Sequence, residues 1–125
     1  MFDMDDMILP RPAPAFEWRG AERPALVCLP LAQHAAHLFT TRAWALGRRV
    51  AGADDQAAWG QVADALHLGA ERLIVARQVH GARVVTAEKG TIEDADIVVT
   101  DDQSLAVAVQ SADCIPLLLA DRRTG

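Results

Sequence analysis

The chain has 125 residues, 51% of them hydrophobic and 23% charged, a composition that excludes disordered, collagen-like and coiled-coil classes and suits one soluble domain. Twelve basic residues against seventeen acidic ones leave a net charge of −5, and the basic residues are scattered, so the footprint of a nucleic-acid binder is missing. The longest purely apolar run, Ile115 to Ala120, falls far short of the roughly 20 residues a membrane helix needs, and two cysteines are too few for a disulfide framework, which points to a reduced, cytoplasmic protein.

The N-terminus, Met1-Phe2-Asp3-Met4-Asp5-Asp6-Met7, is acidic where an export signal would be basic. Residues 1–24 carry Pro10, Pro12, Pro14 and Pro24, which deny the segment a helix or a central strand. It reads as a proline-rich arm with one short strand around Ala15–Arg19. Ala25–Leu29 and Ala36–Thr41, separated by Pro30, fit short strands, and the second runs into Arg42. A helix is predicted from Asp54 or Asp55, either of which can cap it, through Ala58, Val62, Ala65 and Leu66 to His67 and Gly69. Five strands follow: Arg72–Val79, Ala82–Ala87, Asp96–Thr100, Leu105–Val109 and Ile115–Ala120. Ala106-Val107-Ala108-Val109 and Leu117-Leu118-Leu119 are apolar on both faces, so their strands are expected to be central and covered on both sides. Asp121-Arg122-Arg123-Thr124-Gly125 has the chemistry of a turn that asks for a further strand. The chain is therefore expected to be part of a larger domain.

His80 and Cys114 sit at the ends of predicted strands, in Gln78-Val79-His80-Gly81 and Ser111-Ala112-Asp113-Cys114-Ile115-Pro116, with Gly81 and Pro116 shaping the two junctions. Imidazole nitrogen and thiolate sulfur suit zinc. On the residues alone two readings stay open: a metal or catalytic pair, or a histidine satisfied by a backbone carbonyl beside a cysteine buried as a small hydrophobe. Cys28 reads as such a hydrophobe, His34 and His37 as opposite faces of a strand, and His67 as the cap of its helix end. Arg42 can fork two hydrogen bonds to a phosphate or carboxylate, or make a surface ion pair. Asp94, Asp96, Asp101 and Asp102 lack the glycine spacing of a calcium loop and read as solvated turn residues. The sequence has no glycine-rich phosphate loop and no glycine-flanked nucleophilic serine.

Four segments, His37-Leu38-Phe39-Thr40-Thr41-Arg42, Arg77-Gln78-Val79-His80-Gly81, Ala95-Asp96-Ile97-Val98-Val99-Thr100 and Ala112-Asp113-Cys114-Ile115-Pro116-Leu117-Leu118-Leu119, resemble in order and spacing the laccase-domain family. That family is also called the multicopper polyphenol oxidoreductase or purine nucleoside phosphorylase-like family. The resemblance spans residues 25–125 and implies the N-terminal part of a single domain, an α+β fold of mixed β-sheets packed together and flanked by helices, incomplete at the C-terminus. It also implies a zinc held by His80, Cys114 and a third histidine, in a His-Ala-Gly-Trp-Arg-Gly motif beyond Gly125. Arg42 matches the family's Thr-Arg motif and is expected to meet phosphate or ribose. Two departures touch the substrate pocket: Ala43-Trp44-Ala45-Leu46-Gly47 stands where the family continues with Gly-Gly-Val-Ser, and Trp59-Gly60-Gln61 where it has an Asn-Arg pair.

What the resemblance implies is phosphorolysis of adenosine, inosine, guanosine or methylthioadenosine, with deamination of adenosine. The partners are then a purine nucleoside and phosphate, with no nucleic acid and no membrane. Zinc is preferred to copper, because oxidases with several coppers use many paired imidazoles and this chain has four isolated histidines. Two alternatives stand beside this reading: a metal-independent hydrolase with Cys114 as nucleophile and His80 as its base, and an inactive fragment or partner subunit without its own catalysis.

Overall fold

The structure, a computed structural model, describes residues 8–46, 55–89 and 94–124. Small sheets and few helices give an α+β arrangement. The described residues divide into two compact units, one drawn from residues 1–58 with 119–123, the other from residues 59–118.

In the first unit, β1 (Phe16–Arg19), β2 (Ala25–Cys28) and β3 (Phe39–Thr40) form an antiparallel sheet in the order β1-β2-β3. The strand expected within the proline-rich arm is therefore built into a sheet, Phe16 facing Cys28 and Arg19 facing Ala25. Gly20 makes the hairpin possible: its φ is +91°, and a Cβ there would lie 2.8 Å from the Arg23 carbonyl oxygen. The buried face of β2 is Ala25 and Val27. Where the sequence suggests a break at Pro30 the structure has a short helix, α1 (Leu29–Ala32); at the first turn of a helix the missing N–H of proline has no partner to lose. After β3 the chain makes a 3-10 turn, Arg42–Trp44, and both Thr41 Oγ1 (2.8 Å) and the buried Trp44 indole N–H (3.1 Å) donate to the Pro24 carbonyl. The Arg23 guanidinium lies over the Trp44 ring, 5.6 Å from its centroid.

Helix α2 (Asp55–Ala65) matches the predicted helix, while the capping candidate Asp54 lies outside the described residues. It ends in a Schellman arrangement: Leu68 N–H donates to Ala63 O and His67 N–H to Asp64 O, with His67 left-handed at φ 59°. His67 does end the helix, through its backbone. Beyond a 3-10 turn (Ala70–Arg72) come β4 (Leu73–Val75), β5 (Val84–Thr86), β6 (Ile97–Val99) and β7 (Ala106–Ala108). They pair in parallel, β4 with β7 and β5 with β6. Val62, Ala63, Leu73, Ile74, Ala76, Ala87 and Ala95 supply this unit's buried apolar side chains.

Two expectations fail. Residues 115–120 form no strand, and Ile115, Leu117 and Leu119 are 85%, 75% and 92% exposed. No described strand pairs with them, and Pro116 removes a donor that such pairing would use. Among the described residues double cover is absent as well: β7 is half-buried throughout, and Val84, Ile97 and Val99 face outward from the β5–β6 pair.

Candidate functional site

The two motifs follow the two parallel strands of one pair. β4 and β7 run in register from Leu73 opposite Ala106 to Val75 opposite Ala108, and Ala76 N–H continues the ladder to Ala108 O. Beyond that point a side chain takes over. Gln78 Nε2 donates to Gln110 O at 2.7 Å while Gln110 N–H donates to Gln78 Oε1 at 2.6 Å, so one amide satisfies both backbone groups of a residue past the end of the strand. The strap holds the segment entering His80 beside the segment entering Cys114, at the carboxyl end of the pair. In open parallel sheets that end is where ligands bind.

His80 stands in the left-handed region at φ 60°. It is this residue, and not Gly81, that needs the unusual backbone; a Cβ on Gly81 would meet Asp96 Oδ2 at an ordinary 3.5 Å. The turn is held by Asp96. Its Oδ1 accepts the N–H groups of Val79 (3.2 Å) and His80 (2.9 Å), and its Oδ2 accepts that of Gly81 (2.7 Å). Successive N–H groups turned toward one anion form a nest, here filled by the protein's own carboxylate. The Gly81 N–H above all, with those of His80 and Val79, holds the Asp96 carboxyl below its usual range against an opposing desolvation. Asp96 is itself placed by the chain around it: its N–H and that of Ile97 both donate to Arg83 O, and Ala95 N–H donates to Arg77 O.

Cys114 is exposed and unpaired by any disulfide, which overturns its reading as a buried hydrophobe. Ser111 Oγ donates to the Cys114 carbonyl and closes a tight turn around Ala112 and Asp113. His80 is exposed too, so a nitrogen and a sulfur donor of the kind zinc takes are both accessible. Among the described residues no group of three or more His, Cys, Asp and Glu could hold a metal ion.

The solvated-turn reading of the aspartates needs correction at two positions: Asp94 pairs with Arg77 and Asp96 fills the nest. Asp102 is an exposed turn residue as expected; it accepts from Ser104 Oγ (2.6 Å) and Ser104 N–H (2.8 Å), with Arg72 Nη1 donating to the same hydroxyl (2.9 Å). Sequence reasoning missed Gln78 and Asp96 because their partners lie 32 and 16 positions away. A single available signal was the position of Gln78 beside His80 in one short motif.

Arg42 opens the 3-10 turn after β3 and is exposed, in the first unit. His37 is structural: its Nε2 accepts the Cys28 N–H at 2.9 Å and its Nδ1 lies 3.0 Å from Ala35 O. It precedes β3 and does not alternate with His34 on a strand. Cys28, half-buried, ends β2 there. An open depression lined by residues including Cys28, Leu31, His34 and Arg122 contains neither His80 nor Cys114. No helix among the described residues is long and apolar enough to cross a membrane.

Residues 46–125 match the family described as multi-copper polyphenol oxidoreductase laccase. Among curated proteins, the chain is 40% identical over 68 residues to a purine nucleoside phosphorylase of Mycobacterium tuberculosis, covering 52% of this chain and 27% of that protein. It is 43% identical over 67 residues to one of Streptomyces coelicolor (50% and 28% covered), and 43% identical over 53 residues to one of Rickettsia conorii (41% and 22% covered). The matched segments thus span about a quarter of these relatives' lengths. No solved structure matches the chain.

Proposed function

Because the chain belongs to the multi-copper polyphenol oxidoreductase laccase family, we propose that the whole protein is a zinc-dependent purine nucleoside phosphorylase acting on adenosine, inosine, guanosine or methylthioadenosine, with adenosine deaminase activity. Alongside the relatives' names, one observation carries the reading: His80 and Cys114 follow the two strands of one parallel pair, and the Gln78 strap joins the segments that bear them. Zinc bound there supplies Lewis acidity for attack on the nucleoside. His80 and Cys114 hold it, one through imidazole nitrogen and one through thiolate sulfur, and the third protein ligand of a catalytic zinc is the histidine expected beyond Gly125. Arg42 binds phosphate or ribose through its planar fork. Copper is the less suited metal, and its binding in vitro would not make it the native one, since copper takes zinc sites by raw affinity. The protein is expected to work in the cytoplasm, and residues 25–125 to be the N-terminal part of one domain.

The test is base release from inosine and phosphate by the full-length protein. His80→Ala and Cys114→Ser should each lower kcat/KM by about 100-fold or more, each factor of ten being about 1.4 kcal/mol of barrier. Turnover that survives either substitution at the wild-type level would refute the metal reading. Loss with Cys114→Ser in an enzyme whose activity is untouched by chelators would favour the thiol nucleophile instead. Arg42→Ala should raise the KM for phosphate, and Arg42→Lys should not restore it, because an ammonium lacks the bidentate geometry. Residues 1–125 alone, with two of the three ligands, are expected to turn over little or nothing.

A further inference from the structure

We propose that Asp96 is a positioning residue for His80, its carboxylate filling the nest of the Val79, His80 and Gly81 N–H groups and so fixing the direction in which the imidazole leaves the backbone. The proposal rests on the reading of His80 as a metal ligand. A left-handed residue with a Cβ is strained relative to the ordinary regions of backbone space, and such strain persists only where the surroundings over-determine it. Here the surroundings are three hydrogen bonds of 3.2, 2.9 and 2.7 Å converging on one carboxylate. Bonds to an ionised acceptor are about twice as strong as neutral ones. With the N–H vectors of 79, 80 and 81 all fixed, rotation about the His80 φ is blocked and the Cα–Cβ bond has one direction.

Asp96 sits at the entry to β6, whose neighbour β5 it adjoins through the Arg83 carbonyl. One parallel pair, β5–β6, thus supplies the anchor for a ligand borne at the end of the other, β4–β7. Residues that support a metal ligand from behind typically change metal affinity 10–100-fold when removed. Asp94, two positions earlier, makes an ion pair with Arg77 in the same loop and touches none of the three N–H groups. It is the natural control for a merely structural effect.

The experiment is a zinc titration of the full chain against a chromophoric chelator, for wild type, Asp96→Ala, Asp96→Asn, Asp94→Ala and His80→Ala, with circular dichroism to establish that each is folded. Asp96→Ala should weaken zinc binding by roughly 10–100-fold, and Asp94→Ala should leave it unchanged. Asp96→Asn should fall between, since its carbonyl keeps the Val79 and His80 bonds while its amide sets a donor against the Gly81 N–H. In amide NMR spectra of the metal-free chain, Val79, His80 and Gly81 should shift upfield in Asp96→Ala and not in Asp94→Ala. Wild-type affinity in Asp96→Ala with weakened binding in His80→Ala would overturn the positioning role alone. Wild-type affinity in His80→Ala would overturn the metal reading and the proposal with it.

Discussion

A side chain in the left-handed region costs about 1–2 kcal/mol relative to the right-handed one, and three described residues other than glycine accept that cost: Ala45 at φ 55°, His67 at φ 59° and His80 at φ 60°. Ala45 and His67 close helical turns, where glycine is the usual occupant. Ala45→Gly and His67→Gly should each raise stability by about 0.5–1 kcal/mol, the relieved strain outweighing the added chain entropy; a lower urea midpoint in either would show that the turns are not strained. His80 differs, since glycine there would ease the backbone and remove the imidazole. Of the three, the sequence points only to His67, as the end of its helix; the left-handed backbone at His80 is not legible there. Gly81 was the residue expected to take the special conformation, because composition alone does not say that a carboxylate sixteen positions away fills the nest.

Secondary structure was far easier to read than side-chain roles. Every described strand falls within a predicted run, because short β-branched runs are local signals; α2 also forms where expected and buries Ala58 and Val62, but Ala63 is buried and Ala65 exposed, so its apolar face is only partly the predicted one. The ladders are shorter than the runs: Arg72–Val79 keeps only Leu73–Val75 in pairing. Past β4 the backbone of Arg77 takes a new partner, accepting from Ala95 N–H, and Gln78 reaches Gln110 through its side-chain amide. Gln78→Ala should cost about 1–2 kcal/mol, two hydrogen bonds at the usual net worth, and, under the proposed zinc reading, should weaken metal affinity by loosening the join between the motifs. Unchanged stability and affinity would mean the strap carries neither. At the other end of the same strand pair, Arg72 donates to Ser104 and Ser104 to Asp102. The Ser104 hydroxyl first, then the Ser104 N–H and the charge of Arg72, hold the Asp102 carboxyl below its usual range. The unfolded carboxyl titrates near about 4, so the contribution of Asp102 is present above that pH and is lost as pH falls through the lower folded value. Thermal melts of Asp102→Asn should therefore show a shallower loss of stability than wild type below about pH 4. Parallel acid limbs would exclude the assignment.

At the scale of the whole molecule, the sequence showed apolar strands with little helix to cover them, and the structure leaves that apolar surface open. Val84, Ile97 and Val99 are half exposed and Ile115, Leu117 and Leu119 more so, while no large side chain is fully buried among the described residues. Exposed aliphatic surface of this extent is costly, at roughly 25 cal/mol for each Å² that could be removed from water, and it also offers other chains a template for association. Residues 1–125 in isolation should consequently self-associate with rising concentration, and the double substitution Leu117→Asp with Leu119→Asp should reverse this. Both positions are exposed, so the changes remove no buried contact, and like charges on separate copies repel when the segments approach. Sedimentation velocity across a concentration series distinguishes the outcomes. A wild-type chain that stays monomeric at high concentration would show that this surface is not sticky. Association that persists unchanged in the double variant would locate the contact elsewhere, with the outward face of β5 and β6 then the place to introduce charge.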